Sequence, residues 1–329
     1  MGKYRSWGHY PATQQQGEHL PLDAQAFIKK NQTSLLPFGN GRSYGDVCLN
    51  PKGKVVDSNS QDCFLSFCPE SGQIECQGGV LLADVLDLVI PKGWFLAVTP
   101  GTKYVTVGGA IANDVHGKNH HNMGSFGNHL SEFKLLRSNG DILNCSDNEN
   151  SDYFSATIGG LGLTGIILSA KFQLMPLSNP DIIQETIRFE NLKQFFKLAS
   201  KSEQSNQYTV AWVDCLATGT HTGRGLFMRG NHSTAQQKHH PQLPELFPHY
   251  LVGYSLRRTP TLHGHSSTIH NNFPTTLHPV TLRSVTLNSE ESLLLQPRKN
   301  SGSSMANHKE KGRNPLEFVT LAEVDASER

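Results

Sequence analysis

Residues 100–121 constrain this chain more than any other stretch. From Pro100 the sequence passes through a β-branched run to paired glycines, Gly108 and Gly109, and then into a cluster of His, Lys and Asn that ends at His121. The paired glycines remove side chains where a backbone must approach something closely. Their N–H groups can face an anion such as a pyrophosphate. The segment Gly108 to Ile111 predicts a helix whose N-terminus meets that anion; the competing reading is close helix packing at small residues. His116, Lys118, His120 and His121 follow at once, so the span suits a cofactor cradle joined to a reactive site.

The remainder of residues 35–176 reads as a dense mixture of short strands and helices. Lys54 to Ser58 predicts a strand, and Cys63 to Cys68 and Gln73 to Gln77 predict two more across a turn at Pro69 to Gly72. Leu81, Leu82, Val85, Leu86 and Val89 have helical spacing, with Asp84 and Asp87 opposite, and Pro91 to Gly93 stops the helix. Phe133 to Arg137 and Ile142 to Cys145 flank Asn139-Gly140, a hairpin signal. Ile166 to Met175 predicts a long strand ended by Pro176. Strand and helix do not alternate regularly, which disfavours a doubly wound parallel sheet and favours an α+β fold.

After Pro180 a second unit begins, with a helix around Leu192 to Leu198 and a strand over Tyr208 to Cys215. Beyond about residue 231 the chain turns rich in Ser, Thr, Pro, Asn and His, without Trp or Cys. Such a composition buries little apolar surface against its chain entropy. Residues 232–329 therefore read as an irregular tail, disordered or out of frame.

The formal net charge of +1 gives no sign of nucleic-acid binding. No run approaches the ~18 apolar residues of a membrane span. The six cysteines form no Cys-x-x-Cys pair, so they read as reduced thiols in a cytoplasmic protein.

Three further constellations bear on chemistry. Pro37 to Asp46 contains Gly39, Asn40, Gly41, Arg42, Ser43, Tyr44 and Gly45, a loop whose amides can hold phosphate oxygens beside a guanidinium. It is neither a Walker loop nor a dinucleotide fingerprint, and a plain surface turn is the alternative. His116 and His120 have the i, i+4 spacing of a helical metal pair, but Gly117 and Asn119 oppose a helix and the Glu of a zincin is missing, so no metal is assigned. A histidine beside a cofactor or substrate fits better. Gly159 to Ile166 places four glycines before an apolar strand, which suits either a close-approaching ligand or a tight turn.

In this order, Gly39 to Asp46, Pro100 to His121, Gly124 to His129 and Gly159 to Ile167 resemble the vanillyl-alcohol-oxidase-type FAD-binding oxidoreductases, and within them the decaprenylphosphoryl-β-D-ribose 2′-oxidase branch with its sugar-oxidase relatives. The likeness runs from about Ser6 to Gly230. It implies an FAD-binding domain of two α+β subdomains over residues 1–176, and the start of a substrate domain over 177–231. By position, Gly39, Asn40, Gly41, Arg42, Ser43 and Tyr44 would hold the FAD diphosphate. Gly101, Thr106, Val107, Gly108, Gly109 and Ala110 would line the diphosphate and ribityl chain. Asn113, Val115, His116 and Gly117 would run beside the flavin, and Ile166 would contact the adenine side. His116 and Lys118 would be the catalytic residues nearest the reaction zone.

Many relatives of this type attach FAD through a His just before the Ser of the first loop; here that position is Arg42, which implies non-covalent FAD. The implied reaction oxidises a sugar hydroxyl, the 2′-hydroxyl of a polyprenyl-phosphoryl ribose in cell-wall arabinose precursor formation. A partner reductase would complete a two-step epimerisation, with peripheral membrane association through the lipid-linked substrate. An aldonolactone or alditol oxidase is the alternative enzyme. An inactive FAD-binding fragment is the alternative outside enzymes, because the family's returning C-terminal part, including a Lys, has no match after residue 230.

Overall fold

The structure, a computed structural model, describes residues 3–31, 33–234 and 277–280. It combines one parallel and two antiparallel sheets with short helices, a mixed α and β fold.

The parallel sheet has three strands, β1 (Gln16–His19), β2 (Leu35–Phe38) and β3 (Lys54–Asp57), in the order β1-β3-β2. Its central strand carries Val55 and Val56, both fully buried, as expected where both faces of a parallel strand are covered. Helix α1 (Ala24–Lys30) packs Ala24 and Ile28 against Val56. Asp23 caps it by accepting from the Ala26 amide at 2.9 Å, and Lys29 and Lys30 fill its last turn.

The second sheet is built on β9 (Ile166–Pro176). On one side β9 pairs with β5 (Gln73–Gln77), which pairs in turn with β4 (Phe64–Cys68). On the other it pairs with β7 (Leu130–Leu136), which leads to β8 (Ile142–Ser146); a short β6 (Trp94–Leu96) pairs with its C-terminal end. Helix α2 (Leu82–Val89) buries Leu82, Val85, Leu86 and Val89, the stripe read from spacing, and runs into a 3-10 turn, Ile90–Lys92, which ends where Gly93 takes a left-handed φ of 78°. In the β7–β8 turn the left-handed position falls on Gly140 alone (φ 86°). Gly140 donates to Arg137 O and Arg137 donates to Asp141 O, so the loop is longer than a two-residue Asn-Gly turn. Helices α3 (Val107–Ala112) and α5 (Ser151–Thr157) close the main core, with Val107, Ala110, Ile111 and Phe154 beside Phe133 and Phe172.

The third sheet runs β11-β12-β10-β13, from β10 (Ile182–Phe189), β11 (Tyr208–Val213), β12 (Gly225–His232) and β13 (Leu277–Val280). Helix α6 (Leu192–Glu203) covers one face through Phe195 and Leu198, against Phe189, Ala211, Val213 and Phe227. The tail expected over 232–329 lies outside the described residues except at 232–234 and 277–280. Of these, Leu277–Val280 form a strand whose backbone pairs with β10 from Ile182↔Val280 to Glu185↔Leu277. Pro279 is tolerated since β13 is an edge strand.

Candidate cofactor and active site

The first glycine-rich loop leaves the end of β2 and rests on the second. An added side chain at Gly39 would strike the Thr106 hydroxyl, so only glycine allows this approach. Asn40 Nδ2 donates to Tyr104 O at 2.8 Å, and Asn59 Nδ2 donates to Gly39 O at 2.9 Å. Gly41 adopts φ 61°, with the Arg5 carbonyl where a Cβ would stand. Within the described residues, the amides of Asn40, Gly41, Ser43 and Tyr44 donate no hydrogen bond. Asn40 and Gly41 border a cavity of about 400 Å³, lined by Gly39, Asn40, Gly41 and Arg42 on one side and by residues of the segment 3–9 on another. Tyr44 is 75% exposed and meets the Trp7 ring edge-on at 5.4 Å.

The second loop behaves differently from its sequence expectation. Thr106 caps α3 by accepting from the Gly109 amide at 3.1 Å. Val107 donates to Val80 O at 2.8 Å and Gly108 to Gly78 O at 2.7 Å. The amides expected to face an anion at Gly108 and Gly109 are therefore satisfied inside the protein. Gly108 instead allows close packing, since its Cβ would lie 3.1 Å from Gly78 O. Val107 and Ala110 are wholly buried in the main core, and Ile166 packs with Leu20, Ile28, Val56 and Leu136. Gly101 has open space on its Cβ side, and Thr106 sits at the junction of the two loops.

Beyond α3, Asn113 is exposed and its Nδ2 donates back to Gly109 O at 2.8 Å. Val115 is half-buried, and His116 is exposed and bridges to Ser125. Gly117 is buried where a Cβ would stand 2.7 Å from Thr99 O. Lys118 is half-buried; its ammonium makes no hydrogen bond or ion pair with the described residues, and burial holds its pKa below the usual lysine value. Its carbonyl accepts from Thr209 of β11 at 2.8 Å.

A short helix, α4 (His120–Met123), follows. Burial lowers the His120 pKa, with neighbouring His121 and His116 adding to the effect and a hydrogen bond to Gly117 O opposing it. His121 Nε2 donates to Asn206 O at 3.0 Å, which fixes its tautomer. The His116 and His120 rings stand 6.0 Å apart, and among the described residues no group of three ligating side chains could hold a metal.

Several contributors carry no signal in the sequence pattern. Arg5, Trp7 and Asn59 line the cavity, yet the segment 3–9 has neither period nor glycine pairing. Asn206 and Thr209 reach the Lys118 segment only through tertiary structure. A further pair also went unread: Tyr208 OH donates to His232 Nε2 at 3.0 Å, and His232 Nδ1 donates to Asn179 O at 3.1 Å, with Phe95 of β6 edge-on.

The open amides of Asn40 and Gly41, the left-handed conformation of Gly41, and Arg42 on the wall of the same cavity fit a diphosphate-bearing cofactor. Comparison with known proteins agrees. Residues 22–146 match the family described as an FAD binding domain. Over 195 residues the chain is 37% identical to decaprenylphosphoryl-beta-D-ribose oxidase of Mycolicibacterium smegmatis, covering 59% of this chain and 42% of that protein. It is 28% identical to L-gulonolactone oxidase of Bos taurus over 190 residues, 57% of this chain and 42% of the relative. Cytokinin dehydrogenase 7 of Oryza sativa subsp. japonica is 30% identical over 173 residues, 47% and 32% respectively. The chain thus spans less than half the length of these relatives.

Proposed function

We propose that this chain, whose residues 22–146 match the FAD binding domain family, oxidises a sugar hydroxyl with FAD held non-covalently. The observation that carries this is the loop Gly39 to Arg42, which lines one cavity and in which the amides of Asn40 and Gly41 donate no hydrogen bond among the described residues. Residues 1–176 form the cofactor domain and 177–231 open the substrate domain. When bound, FAD supplies the hydride acceptor, the part of the chemistry that side chains cannot provide.

The chain's own residues handle binding and the proton. Oxidation of a CH–OH group removes a hydride from carbon and a proton from oxygen. His116, exposed at the end of the cradle, takes that proton on a ring nitrogen. Lys118, two residues on, carries an ammonium that has no partner among the described residues, suited to a phosphate or a developing oxyanion. Gly117 and the buried Asn119, whose Nδ2 donates to Ala97 O at 2.8 Å, hold this short segment in place.

A lipid-linked pentose, the 2′-hydroxyl of a polyprenyl-phosphoryl ribose, is the favoured substrate. The Mycolicibacterium relative's name supports this, as does the face of the third sheet opposite α6. There Val210 and Trp212 lie beside Met228 and Leu226, and Trp212 is 36% exposed, an apolar surface suited to a hydrocarbon chain. Among the described residues no helix is long and apolar enough to cross a membrane. In this reading the chain meets the lipid-linked substrate peripherally, from the cytoplasm. A reductase acting on the keto product would complete the epimerisation. The likeness to L-gulonolactone oxidase favours an aldonolactone as the second reading.

The test is the visible spectrum of the purified protein before and after acid precipitation. Yellow protein that releases its colour to the supernatant, and is bleached anaerobically by lipid-linked ribose, supports the proposal. Colour retained in the pellet overturns non-covalent binding. A folded protein that takes up no FAD overturns the flavoprotein reading, and bleaching by lactone alone transfers it to the second substrate.

A further inference from the structure

The cavity beside the first loop has a wall that lies outside the family-matched residues. Lys3, Tyr4, Arg5, Ser6, Trp7 and His9 face it, whereas the family match begins at residue 22. This wall is built into the fold. Tyr4 and Ser6 are buried, Tyr4 in a cluster with Leu36, Phe38 and Val55, its ring edge-on to Phe38 at 5.3 Å. Arg5 and Trp7, on either side of Ser6, are half-buried, and a turn at Trp7 and Gly8 is closed by the His9 amide donating to Ser6 O at 3.1 Å. Trp7 donates its amide to Ser43 O at 3.0 Å and meets the Tyr44 ring edge-on. The Arg5 carbonyl occupies the space that Gly41 leaves by lacking a Cβ. Segment 3–9 and loop 39–44 are therefore locked together by backbone contacts at both ends.

The charges on the cavity wall are unevenly placed. Asp57 is its acid, and it is engaged by Lys3 at 3.3 Å and His19 at 3.5 Å. Arg5 and Arg42 line the cavity from two separate chain segments, together with Asn40 and Gly41. Guanidinium forks match phosphate oxygens bidentately, and a pair of them suits two linked phosphates better than one.

We propose that Arg5 is a further diphosphate-binding residue, completing from the N-terminal segment the anion cradle that Arg42 and the loop amides begin, with Trp7 as the residue that positions it. This rests on the reading of the site as an FAD cradle. The segment 3–9 is then part of the cofactor site itself, and its ligand class is a dinucleoside diphosphate.

The test uses the full chain stripped of flavin and titrated with FAD, and separately with ADP as a diphosphate that lacks the flavin. Arg5→Gln should weaken both by roughly tenfold or more, and flatten the salt dependence of FAD affinity, at an unchanged melting temperature. Arg5→Lys should recover part of the affinity, and it provides the comparison should Arg5→Gln fold poorly. Trp7→Ala should weaken both ligands while leaving the salt dependence as in the wild type. Wild-type affinity and salt dependence in Arg5→Gln would overturn the inference and leave the flavoprotein reading standing. A wild-type chain that binds ADP, but not FAD, would overturn the flavin reading while Arg5→Gln still decides the role of Arg5; a chain that binds neither overturns both.

Discussion

The amide of Thr209 donates to the carbonyl of Lys118 at 2.8 Å, tying an edge strand of the third sheet to the cationic segment that follows α3. Two more bonds reinforce this clasp, since His121 Nε2 and Asn122 Nδ2 both donate to Asn206 O. The backbone of Lys118 is thus anchored by one sheet while its ammonium stays unpaired among the described residues. The position of the cation depends on elements almost ninety residues downstream in the sequence.

Lys118→Met should lower kcat/KM for substrate-dependent flavin reduction by roughly tenfold to a hundredfold, the usual worth of one charge-assisted contact. The pH profile gives the sharper check. Burial lowers the Lys118 pKa, so the ammonium is present at low pH and lost as pH rises through a value below 10.5. Substrate affinity should fall along that limb in the wild type, and Lys118→Arg should remove the limb, because a guanidinium stays charged throughout.

Gly117→Ala tests the packing that holds this segment. A Cβ there would meet Thr99 O at 2.7 Å and Thr99 N at 3.0 Å, both backbone atoms that cannot swing aside. The expected cost is about 1–3 kcal/mol, read as a lower melting temperature. Because Lys118 is the next residue, substrate-dependent bleaching should fall further than cofactor affinity does.

Thr106→Val removes two contacts at once. The cap on the Gly109 amide is lost, at about 1 kcal/mol, and the hydroxyl that Gly39 faces is replaced by a methyl group. Stability measured by denaturant should drop by about that amount. FAD affinity should weaken as well, since the two loops meet at this side chain. Thr106→Ser keeps the hydroxyl and should retain both.

Much of the fold was legible where a period had room to show. Helix α2 has five buried apolar positions at helical spacing, and β9 is eleven residues long; both were read within a residue or two. Strand β1 and helix α1 have four and seven residues, too few for a pattern to emerge. Strand β13 shows itself only through its register with β10. At the site, the glycines, Arg42, His116 and Lys118 stood out by residue type. Which amides are open did not, because the Gly108 amide is consumed by Gly78 O, a partner thirty residues away whose position is tertiary information. Arg5 was hidden for the same reason: nothing local distinguishes an arginine that lines a cavity from one on a surface.

The Tyr208–His232 pair predicts a pH dependence for the third sheet. His232 donates from Nδ1 to Asn179 O and accepts at Nε2 from the Tyr208 hydroxyl, so this arrangement requires the neutral ring. Burial lowers the His232 pKa below its ordinary value of 6.5, against a smaller opposing effect of the Asn179 bond. A histidine whose folded pKa is depressed contributes stability that is present above its unfolded pKa and lost as pH falls through the folded one. His120, also lowered by burial, acts in the same direction. Denaturant stability of the wild type should therefore be flat above about pH 6.5 as far as these two groups govern it, and decline below. His232→Gln keeps an amide able to donate and accept but does not titrate, so its decline over that window should be shallower, and His120→Gln combined with it should be shallower still. Equal slopes in wild type and double variant would show that neither ring is held neutral by the fold.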